Sequence, residues 1–213
     1  MSKKQIILIK ISMLCGILGP VIGFIFITCS IFYSDWFNWT NNWLSDLGGI
    51  PGNSSIWTSR GITSIIFNSG LIISGLIGLF FANLLRKLKI LNNRQGKIGS
   101  FLFMFNMLTL SFIGIFPETT GYLHTIVSII FFFLIALSLL ILGNVIRKSS
   151  WKKFGELIII LSIISFCSFA FFVIPRPWGN NAIIELIPII SLSIFSISLG
   201  YSLFKGKFVL ISK

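Results

Sequence analysis

The stretch 125-TIVSIIFFFLIALSLLILGNVI-146 runs for 22 residues without an Asp, Glu, Lys, Arg or His. At 1.5 Å per helical residue, about 20 apolar residues cross a hydrocarbon layer of roughly 30 Å. Five further charge-free runs occupy residues 11–34, 61–85, 98–117, 157–175 and 186–204. A chain inside lipid must satisfy its own backbone polar groups, which leaves helices or a closed barrel. None of the six runs alternates polar and apolar residues with a period of two, so the barrel is excluded. The sequence therefore predicts an all-α integral membrane bundle of six transmembrane helices.

Composition agrees. Hydrophobic residues make up 55% of the 213 and charged ones only 10%, against about 25% charged in a soluble domain. Mean hydropathy is +0.97. The formal net charge of +12 would suit a nucleic-acid binder if it formed one patch. Its distribution says otherwise. Of 17 Lys and Arg residues, 15 precede the first run, join the second to the third, join the fourth to the fifth, or follow the sixth; Arg60 and Arg176 lie opposite. The positive-inside rule makes the crowded side cytoplasmic. The expectation is a multi-pass protein of the cell membrane with both termini cytoplasmic, membrane lipids as partners and no nucleic-acid partner.

The links between runs are short, which predicts one polytopic domain over residues 1–213 with neighbouring spans antiparallel. The first run is too long for a signal-peptide core and is expected to be retained. Cys15, Cys29 and Cys167 all fall inside runs, so neither a disulfide framework nor a zinc ribbon is indicated. Ser12 and Gly16, Gly19 and Gly23, Ser74 and Gly78, and Ser196 and Gly200 are small residues four apart. Such pairs let helices approach closely, here within one chain. Pro20 and Pro188 are expected to kink the first and sixth spans.

The link after the first run reads 36-WFNWTNNWLSDLGG-49. Trp36, Trp39, Trp43 and Leu47 fall on one face of an ideal helix, and tryptophan favours the membrane–water boundary. A short interfacial helix on the outer leaflet, ended by Gly48-Gly49, is the expected result. Two N-x-S/T sequons, at Asn38 and Asn53, fall in the same link. Asp46 would then sit near a helix C-terminus, where a carboxylate is disfavoured. It either makes a local turn with the following Leu-Gly-Gly backbone or pairs across the bundle.

Partners for such a pairing gather on the same side: Arg60, Glu118, His124, Arg176 and Glu185, with Asn68 two turns into the second run. Each has a plain structural reading. Glu185 suits a helix first turn, capped by Asn180 or Asn181; Arg176 would pair with it or snorkel; His124 would end a span. Together they suggest an outward-facing polar mouth, because ionisable groups at a membrane boundary pair or line a cavity.

The pattern Ser45-Asp46-Leu47-Gly48, Phe67-Asn68-Ser69-Gly70, Gly114-Ile115-Phe116-Pro117-Glu118, His124 and Glu185 resembles the six-helix prokaryotic membrane proteins grouped as domain of unknown function 998. The resemblance covers nearly the whole chain and implies the six-span architecture, with Asp46, Asn68, Glu118, His124 and Glu185 as the matching positions. It implies no reaction.

The favoured expectation is a ligand-binding mouth formed by Asp46, Arg60, Asn68, Glu118, His124, Arg176 and Glu185, beside interfacial Trp36, Trp39 and Trp43. It would hold a lipid head group or small amphiphile. The alternatives are an intramembrane enzyme acting on a lipid or envelope precursor, and an accessory subunit contacting other membrane proteins. The reading leans away from catalysis. One histidine without H-x-x-x-H or H-E-x-x-H spacing is a weak zinc signal, and no serine sits in a nucleophile elbow. No catalytic set, metal or cofactor is expected. A proton or ion relay would need ionisable groups inside the spans, and these are missing.

Overall fold

The computed structural model describes residues 3–172 and 181–206, all of them helix, turn or irregular chain without a strand. Six α-helices carry the fold: α1 (Lys3–Phe32), α2 (Ile62–Leu85), α3 (Arg94–Ile115), α4 (Tyr122–Arg147), α5 (Lys152–Ala170) and α6 (Asn181–Phe204). Each holds a segment long and apolar enough to cross a membrane. The helices exceed several charge-free runs because helical hydrogen bonding continues into charged flanks. Thus α1 begins at Lys3 where the charge-free run begins at 11, and α5 spans Lys152–Ala170 where the run covers 157–175. At the start of α3, Asn93 sets the boundary: its side-chain oxygen accepts the Gly96 N–H at 2.8 Å, an ordinary N-cap.

Each helix packs against its neighbour in sequence, and α6 closes the arrangement against α1 and reaches α4. Phe103 of α3 meets Phe81 of α2 at 6.0 Å and Phe195 of α6 at 5.5 Å between ring centroids. All three rings are buried, so they mark the centre of the core. The small residues four apart do bring helices of this chain together. A Cβ on Gly19 would lie 3.5–3.7 Å from Ile77, Ser74 and Gly78 of α2, and one on Gly200 only 2.9 Å from the Met13 carbonyl of α1. Between α2 and α3 the approach is closer still: a Cβ on Gly114 would stand 2.4 Å from the Asn68 carbonyl.

Both proline-bearing helices are continuous in hydrogen-bonding pattern. Pro188 has no N–H for the carbonyl of Ile184, four residues earlier. That carbonyl is satisfied from outside the helix, by the Ser168 hydroxyl of α5 at 2.6 Å. An orphan polar group in an apolar layer is costly, and a neighbouring helix supplies the donor.

The expected interfacial helix over Trp36–Leu47 does not form. Residues 33–44 are turns and irregular chain, followed by a 3-10 turn at Ser45–Gly48. Asparagine chemistry overrides the tryptophan spacing. The Asn38 side-chain oxygen accepts the N–H groups of Thr40 and Asn41 at 2.9 and 3.2 Å, and that of Asn42 accepts the Asn38 N–H at 2.9 Å. Such bonds compete directly with helix formation.

Candidate functional site

One end of the bundle is built from the 33–61 link, the α3–α4 connection and the start of α6. The link is held down at several points. Leu47 is wholly buried and Gly48 lies so close to Asn68 that a Cβ would meet Asn68 Oδ1 at 2.7 Å. Asn68 Nδ2 donates to the Gly48 carbonyl at 2.9 Å. The Thr119 hydroxyl donates to the Ile56 carbonyl at 2.9 Å, and the Thr119 carbonyl accepts the Gly52 N–H at 3.3 Å.

Between α3 and α4 the chain turns sharply through Pro117, a 3-10 turn at Glu118–Thr120, and Gly121 at φ +56°. A left-handed residue there favours glycine, and nothing crowds its missing Cβ. This places His124 in the first turn of α4, 4% exposed, with Nδ1 2.8 Å from the Phe116 carbonyl at the end of α3. Its Nε2 lies 2.8 Å from Glu118 Oε2 and 3.3 Å from Ser128 Oγ. Burial by itself would raise the Glu118 carboxyl, but the hydrogen bond and charge of His124, helped by Ser45, outweigh it and hold it below the ordinary 4.5.

Glu185, 5% exposed, reaches from α6 to the link. Its Oε2 accepts the N–H of Leu44 in a short bond and that of Ser45 at 3.3 Å.

Glu118, His124 and Glu185 line one cavity of about 240 Å³. Ser45, Thr125 and Ser128 share its polar end, while Trp43, Ile129, Phe132, Phe169 and Phe172 form an apolar wall. Trp43 stacks on Phe172 at 5.2 Å, and Phe172 lies 5.0 Å from Phe132 between centroids. Ile129 is 48% exposed, so the cavity opens sideways at the surface of α4. A larger cleft of about 490 Å³ lies at the opposite end among α3, α4 and α5. Its single charged side chain, Arg147, is exposed and donates to Asn144 at 3.0 Å.

Four of the residues singled out from sequence thus converge: Trp43, Glu118, His124 and Glu185. The others do different work. Asp46 bonds locally, but to the residues before it and not to the Leu-Gly-Gly backbone after it: its Oδ2 accepts the Trp43 N–H and the Asn42 Nδ2, both at 3.0 Å. Asn68 braces the link. Arg60 places its guanidinium 3.8 Å over the Trp36 ring, while Trp36 and Trp39 pack against Phe37. None of these lines the cavity. Arg176 lies outside the described residues.

The side chains that sequence reading missed carried a faint signal. His124, Ser128 and Phe132 are spaced four apart and share a face of α4. Phe169 and Phe172 had none, because their role depends on a partner in a distant link.

The geometry also bears on catalysis. A carbonyl only accepts, so His124 Nδ1 carries a proton for Phe116. Its Nε2 then faces Glu118 and is not a free base for the Ser128 hydroxyl, which departs from a serine–histidine–acid relay. Among the described residues no three His, Cys, Asp or Glu side chains are grouped closely enough to hold a metal ion.

Six helices long and apolar enough to cross a membrane point to a multi-pass membrane protein. Within that class, the chain belongs to the family described as Protein of unknown function (DUF998), whose family model matches residues 17–202. No curated protein and no solved structure is similar enough to match.

Proposed function

We propose that the cavity at the Glu118–His124 end binds the head group of a lipid or small amphiphile, delivered sideways from the bilayer. The observation that carries this reading is the pairing, in one cavity, of a carboxylate–histidine–carboxylate end with a Trp and Phe wall. Complete small-ligand pockets measure about 300–1,000 Å³. A volume of about 240 Å³ takes a head group and a few methylenes, leaving the tail among lipid-facing side chains such as Ile129. The distribution of basic residues supports placing this end on the outside, with both termini cytoplasmic.

Native mass spectrometry of protein released from mild detergent tests the reading. A discrete lipid adduct is expected. Ser128→Phe, which fills the cavity, removes it, while Asp46→Asn, away from the cavity, leaves it in place. A bare protein, or an adduct indifferent to Ser128→Phe, would overturn the proposal.

A further inference from the structure

We infer that the head group bound in this cavity carries an ammonium, primary or quaternary, in preference to a phosphate or a sugar. The inference rests on the amphiphile reading and adds the chemical class.

The argument is a charge count. With its Nδ1 proton directed to the Phe116 carbonyl, His124 shares one further proton with Glu118 across 2.8 Å. Wherever that proton sits, the pair is neutral as a unit. Glu185 is the remaining acid in the cavity. Burial disfavours a charge on it, opposed by two backbone N–H groups, from Leu44 and Ser45, that converge on its Oε2. Among the described residues no Lys or Arg lines the cavity, and Arg60 is engaged on Trp36. A buried carboxyl group stays neutral unless a partner charge is supplied. An entering ammonium supplies that charge as the Glu185 proton leaves to solvent, whereas an entering phosphate finds no lining Lys or Arg in a desolvated site.

The wall points the same way. Trp and Phe rings attract a cation through their faces, the more so away from water. Trp43, Phe132 and Phe172 are within one cavity with Glu185. A carboxylate and aromatic rings together recognise an alkylammonium group and its methylenes. The hydroxyls beside them are already engaged, Ser45 with Glu118, Thr125 with the Gly121 carbonyl and Ser128 with His124, which leaves few donors for the oxygens of a phosphate or a sugar.

The test compares three probes with one dodecyl chain: dodecyltrimethylammonium, dodecyl phosphate and dodecyl glucoside, with adducts on the full chain counted by native mass spectrometry. The cationic probe is expected to bind at least about tenfold more tightly than the other two, a margin typical of one buried charge contact. Glu185→Gln keeps an oxygen for the Leu44 and Ser45 N–H groups and is expected to erase the preference while retaining thermal stability. If all three probes bind alike, or the phosphate binds best, the ammonium assignment falls and the amphiphile pocket stands. If no probe binds while a Ser128→Phe-sensitive lipid adduct persists, the ammonium assignment falls alone; if no probe binds and no such adduct is seen, the underlying reading falls with it.

Discussion

His124 illustrates how much one side chain does at a helix boundary. It covers the last carbonyl of α3, pairs with Glu118 and lines the cavity. Because the folded Glu118 carboxyl is held below its ordinary 4.5, its ionised form adds stability at neutral pH. That contribution declines as pH falls from 4.5 through the lower folded value. His124→Ala is expected to lower stability by about 1–3 kcal/mol at pH 7, the usual result of stranding buried hydrogen-bond partners. The gap from the parent should narrow as pH falls from 4.5 through the lower folded value, where Glu118 becomes protonated in the parent as well. Thermal unfolding in detergent at several pH values measures this, and a gap independent of pH would contradict the pairing. Glycines give a second check at the same scale. A Cβ on Gly114 would press on the Asn68 carbonyl at 2.4 Å and on Ile72 at 2.8 Å, whereas one on Gly19 would find only ordinary contacts beyond 3.4 Å. Gly114→Ala should therefore cost about 1–3 kcal/mol, and Gly19→Ala should stay within about 0.5 kcal/mol of the parent.

Among elements, the α5–α6 contact turns on the bond from Ser168 to the Ile184 carbonyl that Pro188 leaves free. Ser168→Ala should destabilise by about 1–3 kcal/mol, since the carbonyl loses its donor within lipid. In a Pro188→Ala background the new N–H serves that carbonyl, so the same serine change should cost clearly less. A double-mutant cycle on unfolding free energies reads the coupling, and additive effects would show that the bond carries nothing. The 33–61 link is a separate element, fastened through Asn68, Thr119 and Glu185. Thr119→Val keeps the shape and removes the hydroxyl bound to Ile56. Hydrogen exchange should then quicken in residues 49–60 while the cores of α2 and α4 stay protected. Faster exchange across all helices would instead mean that the link and the bundle open together.

For the whole molecule, the proposed orientation makes cytoplasmic the side that holds the α2–α3 and α4–α5 links. Ser54 and Lys89 are both exposed and lie in links at opposite ends. With Cys15, Cys29 and Cys167 replaced by serine, Ser54→Cys should react with a membrane-impermeant maleimide on intact cells, and Lys89→Cys only after lysis. The reverse pattern would invert the topology and place the cavity in the inner leaflet. Helix order matters for the cavity too. Its wall needs α4 beside α5 and α6, and its floor needs the 33–61 link folded over the start of α6.

Run length and charge placement determined the six helices and their alternation, because both are one-dimensional properties that lipid reads segment by segment. The gathering of Glu118, His124 and Glu185 at one end followed from the same count. Tertiary structure decided what those groups do. The spacing of Trp36, Trp39, Trp43 and Leu47 matched a helix, yet Asn38, Asn42 and Asp46 turned the chain, with Leu44 and Leu47 buried against the bundle. Asp46 and Glu185 are both carboxylates beside the same link. Only the packing of α6 under that link gives one a local turn and the other a place in the cavity. Trp43 and Phe172 are far apart in sequence, and no periodicity could have stacked them. Such pairings arise through space, where a helix's neighbours depend on how all six close together.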